Sequence, residues 1–219
     1  MKHQFSLISA SGIAWADFIK NWSSWLLLAF GGLLLSNITF LICFFFPEHE
    51  YLVTIGLIFP TAIYTALLYQ NGLDAVHHRK LSMFQISPSI LFTSLFFIAI
   101  SIYSPFFEYS VLFVSVLPDN YQFLIIFNCL VYILVAYFLV RCMFIGMILL
   151  EEKCTVLEAF YKSLRLTSQH LVWLFFIFLY LAIILEISEL TIIGYLVVLP
   201  HAVIMKALLF KYLNQPAQA

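Results

Sequence analysis

The chain has 219 residues, of which 64% are hydrophobic and only 10% charged, with a formal net charge of −1. Soluble domains carry about 25% charged residues, and about 20 consecutive apolar residues suffice to cross a bilayer. This balance excludes an ordinary soluble globule and a nucleic-acid-binding footprint. It predicts an all-α, polytopic membrane protein forming one integral membrane domain over residues 1–219.

Residues 9–24 place Ile13, Trp15, Phe18, Ile19 and Trp22 on one broad side and Asp17, Lys20 and Asn21 on the other. That spacing predicts an amphipathic helix. Trp15, Trp22 and Trp25 suit the headgroup level, where an indole buries its ring and keeps its N–H wet. The segment is expected to lie in the interface and lead into a first span at about 25–46. A short turn around Pro47 precedes a second span at about 51–70, with Pro60 near its middle. Such a proline frees a backbone carbonyl and favours a kink.

Residues 71–87 form a basic connection to a short third span at about 88–104. The apolar stretch 105–118 contains Glu108, and a carboxylate at mid-bilayer costs ~2.5–3.5 kcal/mol. It is therefore either an outer interfacial segment or a prolongation of the third helix. The fourth span, about 121–149, carries Arg141 near its inner end. Thr155 and Glu158 have the spacing of a capping box. They open a second interfacial helix over 156–168, with Val156, Leu157, Phe160, Tyr161 and Leu164 set against Glu158, Lys162 and Arg165. Spans at about 171–185 and 190–210 follow, the last containing Pro200-His201. The expected architecture is six transmembrane helices in three hairpins, with amphipathic interfacial helices.

Charge orients this arrangement. All ten Lys and Arg residues fall in the N-terminal segment, the second and fourth connections and their flanks, or the C-terminal end. The first, third and fifth connections hold Glu48, Glu50, Glu108, Asp119, Glu186 and Glu189, without Lys or Arg. Cytoplasmic loops retain basic residues, so both termini are expected in the cytoplasm. The four cysteines offer neither a disulfide framework nor metal-ligand spacing.

The segment Met147 to Phe176 (MILLEEKCTVLEAFYKSLRLTSQHLVWLFF) has a span ending in an acidic turn. A helix follows with Ala159, Ser163, Leu166 and Thr167 at set positions. It resembles a broad group of uncharacterised bacterial multi-pass proteins. That group includes the membrane domain attached to some glycerophosphodiester phosphodiesterases and an enterobacterial six-span inner-membrane family. The stretch SASGIAWADFIKNWSSWLLL and the turn Arg79-Lys80-Leu81-Ser82 resemble the same family. Leu134-Val135 and Gly146 depart from it, standing where the family often carries Pro-Gly and proline. The resemblance implies a bacterial inner-membrane location; its motifs are architectural, and the soluble phosphodiesterase activity does not carry over.

Asn37 and Asn128 lie inside apolar runs, where a buried amide seeks a partner on another helix. They read as interhelical contacts, or alternatively as part of a substrate path. Intramembrane charge points to function by default. Arg141 can snorkel to the headgroups, or bind the phosphate of an anionic lipid. His77-His78 lacks a third ligand and reads with Arg79 and Lys80 as a headgroup-facing turn. His201 can bond a carbonyl freed by Pro200. Arg79, Lys80, Lys162 and Arg165 are the expected inner-leaflet contacts, and Gly31-Gly32 with Ser36 permits close helix approach.

Neither G-x-S-x-G nor H-E-x-x-H occurs in the sequence. The expected function is non-enzymatic and cofactor-free: support of envelope organisation or of a membrane-protein partner complex, with anionic headgroups engaged at the cytoplasmic face. The alternative is a small-molecule or lipid transporter, with Asn37, Pro60, Asn128, Arg141 and Pro200 lining a cavity between the hairpins.

Overall fold

The computed structural model describes residues 6–45, 50–98, 121–189 and 191–214. The described residues are helical, with no strand among them. In order the helices are α1 (Leu7–Lys20), α2 (Trp22–Phe45), α3 (Glu50–Val76), α4 (Pro88–Ile98), α5 (Tyr121–Cys142), α6 (Ile145–Glu152), α7 (Val156–Ser168), α8 (Leu171–Glu189) and α9 (Ile192–Asn214).

Two stretches, Ile133–Glu152 and Gly194–Asn214, are long and apolar enough to cross a membrane. The bent pairs α1–α2 and α7–α8 bring the number to as many as four. The stretch 105–118, with its two readings, lies outside the described residues.

Local chemistry explains the helix boundaries. Ser6 caps α1 by accepting from the Ser9 N–H. The α1 helix ends at Asn21, whose backbone N–H donates to the Asp17 and Phe18 carbonyls, and α2 leaves at 93°. The expected capping box forms at α7: the Thr155 hydroxyl accepts from the Glu158 N–H, and the Glu158 carboxylate accepts from the Thr155 N–H at 2.8 Å. A second bend, of 103°, separates α7 from α8. Helices α3 and α9 continue through Pro60 and Pro200.

Besides shifts of a few residues at the ends of α1, α8 and α9, three features differ from the sequence expectation. Helix α3 extends past residue 70 to Val76, because Asn71 and Asp74 are buried side chains of that helix rather than loop residues. The fourth run breaks at Met143-Phe144. Every residue from Met143 to Leu150 is buried, so packing rather than one apolar stripe sets the local backbone. Trp25 is fully buried instead of wet at an interface, while Trp15 and Trp22 are exposed. The bend at Asn21 turns the start of α2 inward.

Helix α9 is the hub, touching α1, α2, α3 and α8. It runs in the same direction as α3, since Lys206 meets Tyr69 and Lys211 meets the Val76 carbonyl further along both helices. The core gathers around the C-terminal halves of α3 and α9, with α6 and the first turns of α2. Lipid offers no hydrophobic drive between helices, so close packing must hold them, and small residues permit it. Ala10, Ala14, Ala29, Ala66, Ala75, Ala159 and Ala207 are all buried. A methyl at Gly72 would stand 2.8 Å from Val203 of α9, and one at Gly32 would collide with the Tyr64 hydroxyl.

Candidate functional site

The elbow between α5 and α7 holds Arg141. Helix α7 presents Ala159, Ser163 and Thr167, at intervals of four residues, to the protein, and all three are buried. Side chains four apart share one helix face. The Arg141 Nη1 donates to the Leu164 carbonyl at 2.8 Å and to the Thr167 hydroxyl at 3.1 Å. The Ser163 hydroxyl donates to the Arg141 carbonyl at 2.6 Å, closing a reciprocal staple. The guanidinium lies 5.8 Å from the centre of the Tyr137 ring. Its Nε is buried without a hydrogen-bond partner among the described residues.

The remaining faces of α7 divide sharply. Leu157 and Tyr161 are 67% and 66% exposed. Lys162 pairs with Glu152 and Arg165 is exposed. Helix α1 has the same arrangement: Ala10, Ala14 and Phe18 are buried, while Ile8 and Ile19 are 87% and 65% exposed. His201, directly after the buried Pro200, is itself buried. Its Nε2 lies 3.4 Å from the Ser11 hydroxyl and its ring centre 5.1 Å from that of Trp15, tying α9 to α1.

A second polar lock holds the connection after α3. The Asn71 Nδ2 donates to the Met83 carbonyl at 3.0 Å, and its Oδ1 accepts from the Met83 N–H at 2.9 Å. Asp74 accepts from the Ser82 N–H at 3.2 Å, from the Ser82 hydroxyl and from Gln70. The loop so fixed exposes Arg79, Lys80, Phe84 and Ile86. His77 sits 3.2 Å from the Glu151 carboxylate, and the Lys211 ammonium donates to the Val76 carbonyl at 2.9 Å. A cation suits that position because helix C-termini carry partial negative charge.

The residues singled out from sequence are not gathered into one site. Asn37 is exposed and donates to the Leu33 carbonyl of its own helix at 2.8 Å. Pro60 is partly buried in α3. Asn128 lies on α5, but its side chain is outside the described residues. Sequence reasoning did not single out Asn71, Asp74 or the Tyr69–Lys206 contact, in which the ammonium lies 4.3 Å from the ring centre. The three-residue spacing of Asn71 and Asp74, continuing α3, was the available signal.

The fold thus defines an all-helical protein with helices long and apolar enough to cross a membrane. No protein-family model, curated protein or solved structure matches the chain.

Proposed function

We propose that this chain is a multi-pass protein of the bacterial inner membrane, with six spans, both termini cytoplasmic, and two helices seated in the inner interface. In this reading it is a non-enzymatic scaffold for envelope organisation or for a membrane-protein partner complex. The observation that carries it is the pair of near-right-angle bends, 93° and 103°. If α2 and α8 cross the bilayer, α1 and α7 must run along its surface. Their uncovered apolar side chains then enter the acyl boundary, while Lys20, Lys162 and Arg165 meet headgroups, as interfacial helices require.

Brominated lipids test the seating. Trp15 and Trp22 fluorescence in the reconstituted protein should be quenched most strongly by bromines near the headgroups. Quenching equal to that of a water-exposed tryptophan would defeat the interfacial reading. The scaffold role predicts that crosslinking in cells traps a defined membrane partner; recovery of the chain alone would count against it.

The transport reading draws on the buried Pro200-His201 pair, whose His201 Nδ1 has no partner among the described residues. Against it stands the bond of Asn37 to the Leu33 carbonyl, which commits that side chain to its own helix.

A further inference from the structure

We propose that the α5–α7 elbow is a seat for the phosphate of an inner-leaflet anionic phospholipid, with Arg141 as its charged residue. The inference deepens the interfacial reading of α7 and rests on it. Among the described residues the close contacts of a carboxylate with a basic side chain are His77–Glu151 and Lys162–Glu152, so no carboxylate neutralises Arg141. A partly buried guanidinium within an apolar stretch otherwise carries its charge uncompensated. Its described hydrogen bonds both leave from Nη1, to the neutral Leu164 carbonyl and Thr167 hydroxyl. The Nε–H has no described partner but is enclosed by the protein, whereas Nη2 has no described bond and is not among the enclosed atoms, so Nη2 is the donor open to a ligand.

The surroundings select a lipid rather than a free anion. Tyr137 and Phe138, four and three residues before Arg141 on α5, are exposed, and side chains at those spacings are neighbours on a helix surface. A ligand at the elbow therefore meets apolar surface beside the guanidinium. An acyl chain can cover the apolar surface while the phosphate accepts from Arg141. Guanidinium and phosphate also match as a charge-assisted pair.

Native mass spectrometry of the full-length protein in detergent, with phosphatidylglycerol or phosphatidylcholine added, tests the seat. Wild type should retain phosphatidylglycerol in preference to phosphatidylcholine. Arg141→Gln should weaken that retention about tenfold, the scale of one charge-assisted hydrogen bond. Because this change also breaks the staple, Thr167→Val supplies the control: it removes a staple acceptor but leaves the guanidinium, and should stay within about twofold of wild type on the same scale. Arg141→Lys should keep part of the preference.

Unchanged retention in Arg141→Gln overturns the proposal. Equal losses in Arg141→Gln and Thr167→Val would reduce Arg141 to a staple, and an equal loss in Arg165→Gln would reduce the effect to diffuse attraction. Displacement of the lipid by inorganic phosphate would assign a free-anion site instead. Failure of the seat leaves the interfacial reading of α7 intact, whereas failure of that reading appears as weak bromolipid quenching of a tryptophan placed on the exposed face of α7 (Tyr161→Trp) with Arg141 unaltered.

Discussion

Lys153 ends α6 with φ at 49° and ψ at 36°, in the left-handed region. An L-residue there costs about 1–2 kcal/mol, and glycine is the residue that adopts it freely. Lys153→Gly should therefore stabilise the protein by about 0.5–1 kcal/mol once the greater freedom of glycine in the unfolded chain is subtracted. Thermal unfolding in detergent reads this, and a lower midpoint would indicate that the lysine side chain contributes more than its backbone costs. Two residues later, the Thr155 backbone N–H and hydroxyl hold the Glu158 carboxyl below its ordinary value. A lowered carboxyl favours the folded state above the unfolded pKa and loses that contribution as pH falls through the folded value. Exchange protection of the first turn of α7, corrected for intrinsic rates, should persist through neutral pH and fall only in the acid range, below ordinary glutamate titration. Glu158→Gln should flatten the profile.

At the scale of the element, the amide of Asn71 exchanges two hydrogen bonds with Met83 and gives a third to the Leu67 carbonyl. Asn71→Leu keeps the approximate volume but strands the Met83 backbone groups near a buried helix. A stranded buried polar group costs about 1–3 kcal/mol, and Met83 sits at φ 51°, where it needs external restraint. The 79–86 loop should gain amide exchange while α9 stays protected; uniform loss across the chain would mean global unfolding instead. This lock was hard to read because polar residues after an apolar run look like a solvated turn. The capping box of α7 was legible, since it depends only on residue types three apart. The break at Met143-Phe144 was not. Residues buried on all sides carry no periodicity, and Phe144 packs at 5.7 Å from Phe210, far away in sequence.

At the scale of the whole molecule, several of the described basic residues and the core lie toward the same helix ends. Val76 of α3, Glu152 of α6 and Asn214 of α9 end beside the core, and Arg79, Lys80, Lys153 and Lys211 lie within a few residues of those ends. The clustering of Arg79 and Lys80 just past the apolar run of α3 was legible from the sequence. The partners were not: Lys206 on Tyr69, Lys211 on Val76 and Arg141 on α7 depend on contacts between distant segments. This separates two kinds of cation. Those with internal partners hold helices together, whereas Arg79, Lys80 and Arg165 are exposed, and Lys162 has only a partly exposed pair with Glu152. Exposed pairs contribute about 0–1 kcal/mol, so in the proposed membrane arrangement the second group is the one left to orient the chain and to meet an anionic leaflet, at about 1 kcal/mol per group. Replacing Arg79, Lys80, Lys162 and Arg165 together with glutamine should leave the helix packing intact. It should nevertheless produce a mixed population in reporter fusions placed after α3, whose connection loses both its cations, and after α7, whose connection keeps only Lys153. A single unmixed topology in this variant would show that the charge bias does not orient the chain.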